Sequence, residues 1–179
     1  MGLIGESPVR DSTAVVLIDM QHIFFQELSW ETQQTLLAAQ TKLIIECAKY
    51  DIPLAVIQYS GFGSTIFQLQ QLIRNVPRSE YYAKTSMNGF SGGWLEGFLD
   101  KHRVSTVLFA GIFASQCVFE TANATPKKYH IGTSEVLIAD HRFDQCMRET
   151  REWFADHGSF YPDYVSPRTL KAPPKDQDL

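Results

Sequence analysis

Three side chains in this sequence are of types that together can attack a carbonyl and move a proton: Asp19 in VVLIDMQ, Lys84 in YYAKTSM and Cys117 in GIFASQCVF. The thiolate is the nucleophile of the set. A cysteine at the mouth of a helix faces unpaired backbone N–H groups and the positive end of the helix dipole, which favour thiolate and lower its pKa from about 8.5. The N–H groups of the ASQC turn could hold an oxyanion, Asp19 could take the thiol proton, and a cation such as Lys84, one of sixteen basic residues, would stabilise the charged pair. Each residue alone also fits a duller role: Cys117 as a small buried hydrophobe, Asp19 as a turn residue, Lys84 as a solvated surface charge.

Whether the three can meet depends on the elements that carry them. Residues 13–18 (TAVVLI) are continuously apolar and rich in β-branched side chains, the pattern of a strand covered on both faces in a parallel sheet, and Asp19 stands where that strand stops. Residues 30–49 place Leu36, Leu37, Leu43, Ile44 and Cys47 at helical spacing, and residues 54–57 resume as a second buried strand, giving a β-α-β unit. A short helix is expected over 66–73. The polar, glycine-bearing segment 81–93, which holds Lys84, reads as mostly irregular. Ser91 can cap a helix running to about residue 101. Residues 104–110 form a third strand, a helix follows Cys117, residues 135–139 form a fourth strand, and Phe143, Met147, Trp153 and Phe154 lie on a last helix over 143–157. Strand and helix alternate throughout, so the expected fold is α/β: a three-layer α/β/α, Rossmann-like arrangement with a mainly parallel sheet and helices on both faces. Ligands bind such folds beyond the carboxyl ends of the strands, where Asp19 and Cys117 would share one rim.

Composition narrows the function classes. At 179 residues and 44% apolar side chains the chain suits one domain, able to bury about 70% of its unfolded surface. Sixteen Lys and Arg against twenty Asp and Glu, with the basic residues scattered, leave no stripe to follow a phosphate backbone, so no nucleic-acid partner is expected. No apolar run approaches the roughly 20 residues that span a bilayer, and MGLIGESPVRD has no charged region leading into an apolar one; no membrane partner and a cytoplasmic location are expected. Cys47, Cys117 and Cys146 have neither CxxC spacing nor a nearby His/Cys cluster, which argues for free thiols. The domain is taken as residues 1–165, and the proline- and charge-rich residues 166–179 as an extended or disordered tail.

Three segments, VVLIDMQHIFF, KTSMNGFSGGWL and VLFAGIFASQCVFETA, resemble in order and spacing the signature segments of the isochorismatase-like cysteine hydrolases, a superfamily that includes nicotinamidases and several small-amide hydrolases. The resemblance runs from about Thr13 to about His157. It implies a triad of Asp19 as general base, Lys84 orienting Asp19 and holding the Cys117 sulfur by charge, and Cys117 as nucleophile. It also implies an oxyanion hole made by the backbone N–H groups of Phe113 and Cys117, with a cis peptide between Ile112 and Phe113. The implied reaction is hydrolysis of a small amide through a thioester, with no cofactor, in a homo-oligomer acting on a small-molecule substrate.

The sequence departs from the pattern in places. Nicotinamidases of the superfamily hold a metal through Asp and His after the second strand, but QYSGFGS at 58–64 has neither, so no metal is expected. His22 beside the first strand reads as a hydrogen-bonded structural residue. After Cys117 the stretch TANATPKKYHIGTSE lacks the family's Asp-Ala pair. Phe24, Tyr59, Phe90, Trp94 and Phe113 are candidates to line an apolar pocket, with Gln21 or Gln58 as polar handles. Rival readings are an isochorismatase-type hydrolase of a vinyl ether, a redox-sensing thiol at Cys117 and a catalytically retired binding domain.

Overall fold

The computed structural model describes residues 12–141 and 144–170. Phe143, counted above on the last helix, lies outside them, as does the tail beyond Leu170. Seven strands alternate with helices: β1 Ser12–Ile18, α1 His22–Phe25, α2 Trp30–Tyr50, β2 Leu54–Tyr59, α3 Phe67–Ile73, β3 Ser79–Lys84, α4 Trp94–Lys101 and β4 Val104–Ile112. A π-helical turn, Ala114–Val118, runs directly into α5 Phe119–Asn123, followed by β5 His130–Ser134, β6 Ile138–Ala139, α6 Asp144–His157 and β7 Ser159–Tyr161. The strand order is β3-β2-β1-β4-β5-β7, with β6 also paired to β4, and every strand pair is parallel.

Residues on alternate sides of the central strands feed two separate cores. Val15 and Leu17 of β1, with Leu54 and Val56 of β2, pack under α2 and α3 through Leu36, Leu43, Ile44, Leu69 and Ile73. Ala14, Val16 and Ile18, with Ala55 and Ile57, pack on the other face against Leu95, Phe98 and Leu99 of α4 and Phe154 of α6. This is the expected three-layer α/β/α fold. The unbroken apolar runs of β1 and β4 follow from it, because a strand with helices on both faces has no side on which a polar residue meets water. No helix among the described residues is long and apolar enough to cross a membrane.

The chain leaves β1 toward β2 and β3 on one side and returns to β4, β5 and β7 on the other, so strand order reverses between β1 and β4. That switch point opens a crevice at their carboxyl ends. The two strands close tightly there: Gly111 pairs with Ile18, its φ is 130°, and a Cβ on it would stand 2.0 Å from the Ile18 carbonyl oxygen. Its N–H donates to Leu137 O at 3.0 Å, and the buried Gln40 of α2 donates Nε2 to the same carbonyl at 3.1 Å.

Several elements differ from the sequence reading. Residues 79–84, which include the first part of the segment taken as irregular, are β3, an edge strand whose alternation is weak because one side and one edge meet solvent. Helix α4 begins at Trp94, after Gly93 in a left-handed conformation, and has no side-chain cap. Ser91 lies in the preceding turn, its hydroxyl bonded to that of Ser86 at 2.9 Å. The fourth strand is displaced: β5 precedes it at 130–134, residues 135–137 turn, and only Ile138–Ala139 remain as β6. Strand β5 was missed because HIGTS buries hydroxyls in place of methyls, with Thr133 Oγ1 donating to Phe109 O at 2.9 Å. Residues 166–170 turn back onto the domain: Leu170 is buried, its carbonyl accepts from Thr13 Oγ1 at 3.3 Å, and Ser166 Oγ donates to Glu46.

Two glycine substitutions test this account of the backbone. Gly97 lies within α4 with open space where a Cβ would stand, so Gly97→Ala is expected to raise stability by about 0.5–1 kcal/mol in chemical denaturation. Gly111→Ala is expected to lower it by more than about 3 kcal/mol, because both φ and the Ile18 backbone oppose a side chain.

Candidate active site

Three strand ends deliver the expected residues to one rim. After Ile18 the chain turns through Asp19, whose φ of 50° is a left-handed conformation that Asp tolerates better than most residues. Asp19 N donates to Ile57 O at 2.9 Å, tying the turn to β2. Lys84 is the last residue of β3, not a loop residue, and reaches Asp19 across the end of β2. On the way its Nζ lies 4.1 Å from the centroid of the Tyr59 ring, a cation–π contact. Beyond β4 the Ile112–Phe113 peptide is cis. The Phe113 carbonyl then accepts from the N–H groups of Gln116 at 3.0 Å and Val118 at 3.3 Å, closing the wide turn that carries Cys117.

Lys84 joins the other two. Its Nζ is 2.8 Å from Asp19 Oδ2 and donates to Cys117 Sγ at 3.2 Å. The Lys84 and Asp19 side chains are 0% and 3% exposed, so this is a fully desolvated ion pair. Asp19 Oδ1 is also buried and has no hydrogen-bond partner among the described residues.

Burial raises the Asp19 carboxyl above its ordinary value, with the Lys84 charge pulling the other way. The Cys117 thiol is pushed up to about 12, first by burial and then by the negative charge of Asp19, against the opposing pull of Lys84. This corrects the expectation of a lowered thiol pKa at a helix mouth. Cys117 sits inside a π-helical turn that leads into a helix of only five residues, and burial beside a carboxylate outweighs what such a short dipole supplies. Burial and the Asp19 charge thus favour a protonated sulfur at Cys117, next to a side chain able to accept its proton. Such a pair can generate the nucleophile as it attacks, by passing the thiol proton to the carboxylate.

Asp19 and Cys117 open onto a cavity of about 290 Å³. Of the expected pocket residues, Phe24, Tyr59 and Phe113 line it. Phe62, Met87, Ile112 and Gln116 complete the wall and were not foreseen. Phe62 packs against both Phe24, at 5.2 Å between centroids, and Tyr59, at 5.4 Å, while Phe24 meets Phe113 edge-on at 6.1 Å. Phe62 sits between Gly61 and Gly63, with φ of 85° and 80°. An aromatic between two glycines just past a strand's carboxyl end is the signal that could have found it.

The other expected lining residues are elsewhere. Gln21 is fully buried and grips the loop after β2: its Oε1 accepts from Tyr59 N at 2.7 Å, and its Nε2 donates to Tyr59 O at 2.9 Å and Gly63 O at 2.7 Å. It holds Phe62 in place and is not a polar handle. Gln58 Nε2 donates to Thr65 Oγ1 at 2.8 Å. Phe90 and Trp94 pack on the core under α4, and Trp94 stacks on Tyr82 with centroids 4.5 Å apart. His22 is exposed on α1. Among the described residues no group of three or more His, Cys, Asp and Glu side chains could hold a metal ion.

Residues 13–125, which include all three of these side chains, match the isochorismatase domain family. The chain belongs to that family. No curated protein matches the sequence. Among solved structures, the isochorismatase domain here superposes on a nicotinamidase from Staphylococcus aureus with a TM-score of 0.74 at 17% identity, covering 84% of this chain and 98% of that one. It superposes on N-carbamoylsarcosine amidase from Thermoplasma acidophilum with a TM-score of 0.71 at 19% identity, covering 90% and 99%. An octameric hydrolase of unknown specificity from Escherichia coli gives 0.69 at 14% identity, covering 84% and 78%. At these identities the likeness is one of fold.

The electrostatics of this isochorismatase domain predict how Cys117 titrates when its neighbour loses its charge. Asp19→Asn removes the charge that helps hold the Cys117 thiol up while Lys84 remains, so thiolate becomes more abundant, by about tenfold for each unit of lowered pKa. The ultraviolet absorbance of the Cys117 thiolate, followed against pH, is expected to appear at lower pH in this variant than in the wild type; appearance at the same or higher pH would contradict the charge arrangement.

Proposed function

We propose that this protein is a metal-independent cysteine hydrolase that cleaves the C–N bond of a small amide through a thioester on Cys117. The observation that carries the reading is Lys84 Nζ lying between Asp19 Oδ2 and Cys117 Sγ, two groups that line a largely apolar cavity. The two superposed amidases support the reaction class, since their names describe hydrolysis of small amides.

The proposed steps use these groups in turn. An amide enters with its carbonyl carbon toward Cys117. As sulfur forms the S–C bond, the thiol proton passes to Asp19, whose Oδ1 is an acceptor without a partner. The carbonyl oxygen gains the negative charge and is held by the backbone N–H groups of Phe113 and Cys117. When the tetrahedral species collapses, the C–N bond breaks and Asp19 gives its proton to the departing amine. Water then adds to the thioester, losing a proton to Asp19. The C–S bond breaks, and the proton returns to the sulfur as the carboxylic acid leaves. Throughout, Lys84 keeps its positive charge while the negative charge moves between the Asp19 carboxylate and the carbonyl oxygen.

A thiol raised to about 12 weighs against a redox sensor, which needs a standing thiolate. A vinyl-ether hydrolase or a retired binding domain gives the paired Asp19 and Cys117 no shared purpose. The octameric relative supports a homo-oligomer, and the free thiols Cys47, Cys117 and Cys146 suit a cytoplasmic location.

The reading is tested by ammonia release from a panel of small uncharged carboxamides. Wild-type activity should fall at least 1,000-fold in Cys117→Ala and in Asp19→Ala, about 4 kcal/mol of transition-state stabilisation, and equal activity in all three proteins would refute it. The pH profile has a fixed sign. Only ionised Asp19 can accept the thiol proton, and its carboxyl is raised above 3.8, so kcat/KM should fall as pH drops through a midpoint above 3.8. A midpoint at or below that value would exclude Asp19 as the base.

A further inference from the structure

Behind the Cys117 turn lies a second buried carboxylate that neither the family motifs nor the proposed steps employ. Asp140 follows β6, which pairs with the end of β4 at Gly111 and Ile112. Its side chain is 0% exposed. Asp140 Oδ2 accepts two hydrogen bonds from one residue of the turn, from Ser115 N at 2.8 Å and from Ser115 Oγ at 2.6 Å. Its other oxygen, Oδ1, lies 3.5 Å from His141 Nδ1, and His141 Nε2 lies 3.8 Å from Glu27 Oε2 on the loop before α2. The His141 ring in turn packs on Phe113, with centroids 4.0 Å apart.

We propose that Asp140 is a positioning residue for the reaction: it anchors Ser115 and, through His141, braces Phe113, so that the N–H groups of Phe113 and Cys117 stay aimed at the oxyanion. The proposal rests on Cys117 being the acylated nucleophile. Its physical basis is the shape of the turn. The π-helical turn is closed on the Phe113 carbonyl by N–H donors three and five residues further on, at 3.0 and 3.3 Å, and leads into a helix of only five residues, so it has little regular structure of its own to set its orientation. A buried carboxylate accepting a backbone N–H and a hydroxyl supplies a charge-assisted anchor two residues before the sulfur. A shift of about 1 Å in a group that stabilises developing charge can cost about 100-fold in rate.

The test separates building the oxyanion from merely holding the thiol. Acylation of Cys117 by p-nitrophenyl acetate, followed as the burst of p-nitrophenolate and as acetyl-protein by mass spectrometry, depends on the oxyanion hole. Alkylation of Cys117 by iodoacetamide does not. In Asp140→Asn the burst rate is expected to fall about 10- to 100-fold, with alkylation within twofold of wild type. Ser115→Ala, which removes one of the two anchoring bonds, is expected to show a smaller loss of the same kind. Acylation at the wild-type rate in both variants overturns the proposal, and so does an equal loss of acylation and alkylation, which is what general loosening of the domain would give. If Asp140→Asn does not fold, Ser115→Ala decides by itself, and an unchanged burst overturns the proposal. A wild-type protein that forms no acetyl-enzyme, or a burst that persists in Cys117→Ala, refutes the nucleophile reading and this one with it.

Discussion

An ammonium ion is buried in this protein, and the rest of the site follows from what makes that tolerable. Lys84 is among the largest fully buried side chains of the chain. Removing such a charge from water costs several kcal/mol even after relaxation, and leaving it unpaired costs more. Asp19 Oδ2 at 2.8 Å supplies the opposite charge, Cys117 Sγ at 3.2 Å a polarizable acceptor, and the Tyr59 ring at 4.1 Å a negative face. These partners come from β1, β2 and the turn after β4, so the ion pair is stable only when the strands of both halves of the sheet are in register. The site is a consequence of the fold, and it also penalises misassembly.

The same pair sets the chemistry. A lysine alone would lower the thiol pKa, yet burial and the carboxylate outweigh it and push the thiol up to about 12. Most of the cavity wall beside it is apolar, with Phe24, Phe62, Phe113 and Ile112 facing the polar groups of Asp19, Gln116 and Cys117. Gln21 secures this wall by gripping the backbone of Tyr59 and Gly63, and so couples the Asp19 turn to the aromatic loop that faces it.

How much of this could be read from the chain alone varied with how local the cause was. Strands β1, β2 and β4 announce themselves because both of their faces are dry, and their methyl-rich runs have no other use. Helix α2 was legible because one face carries Leu36, Leu43, Ile44 and Cys47 into a core and the other meets water. Strands β3, β5 and β7 were not, since an edge position or buried hydroxyls replace the apolar pattern. Phe90 and Trp94 drew attention as aromatic residues near the second motif, but which face of the sheet they cover depends on where α4 begins, and Gly93 starts it two residues later than Ser91 would have.

What the sequence determined by itself was the layered parallel fold, because strands dry on both faces and one-sided helices alternate along it; which carboxylate, amine and thiol to look for came from the resemblance of three segments to a family. What only the tertiary structure decided was their electrostatic state and the shape of the cavity. Protonation depends on burial and on charges distant along the chain, and no local pattern encodes how deeply Cys117 is sunk beside Asp19. The second carboxylate, Asp140, was equally invisible: its bonds to Ser115 span twenty-five positions of sequence, and only the pairing of β6 with β4 brings those two residues together.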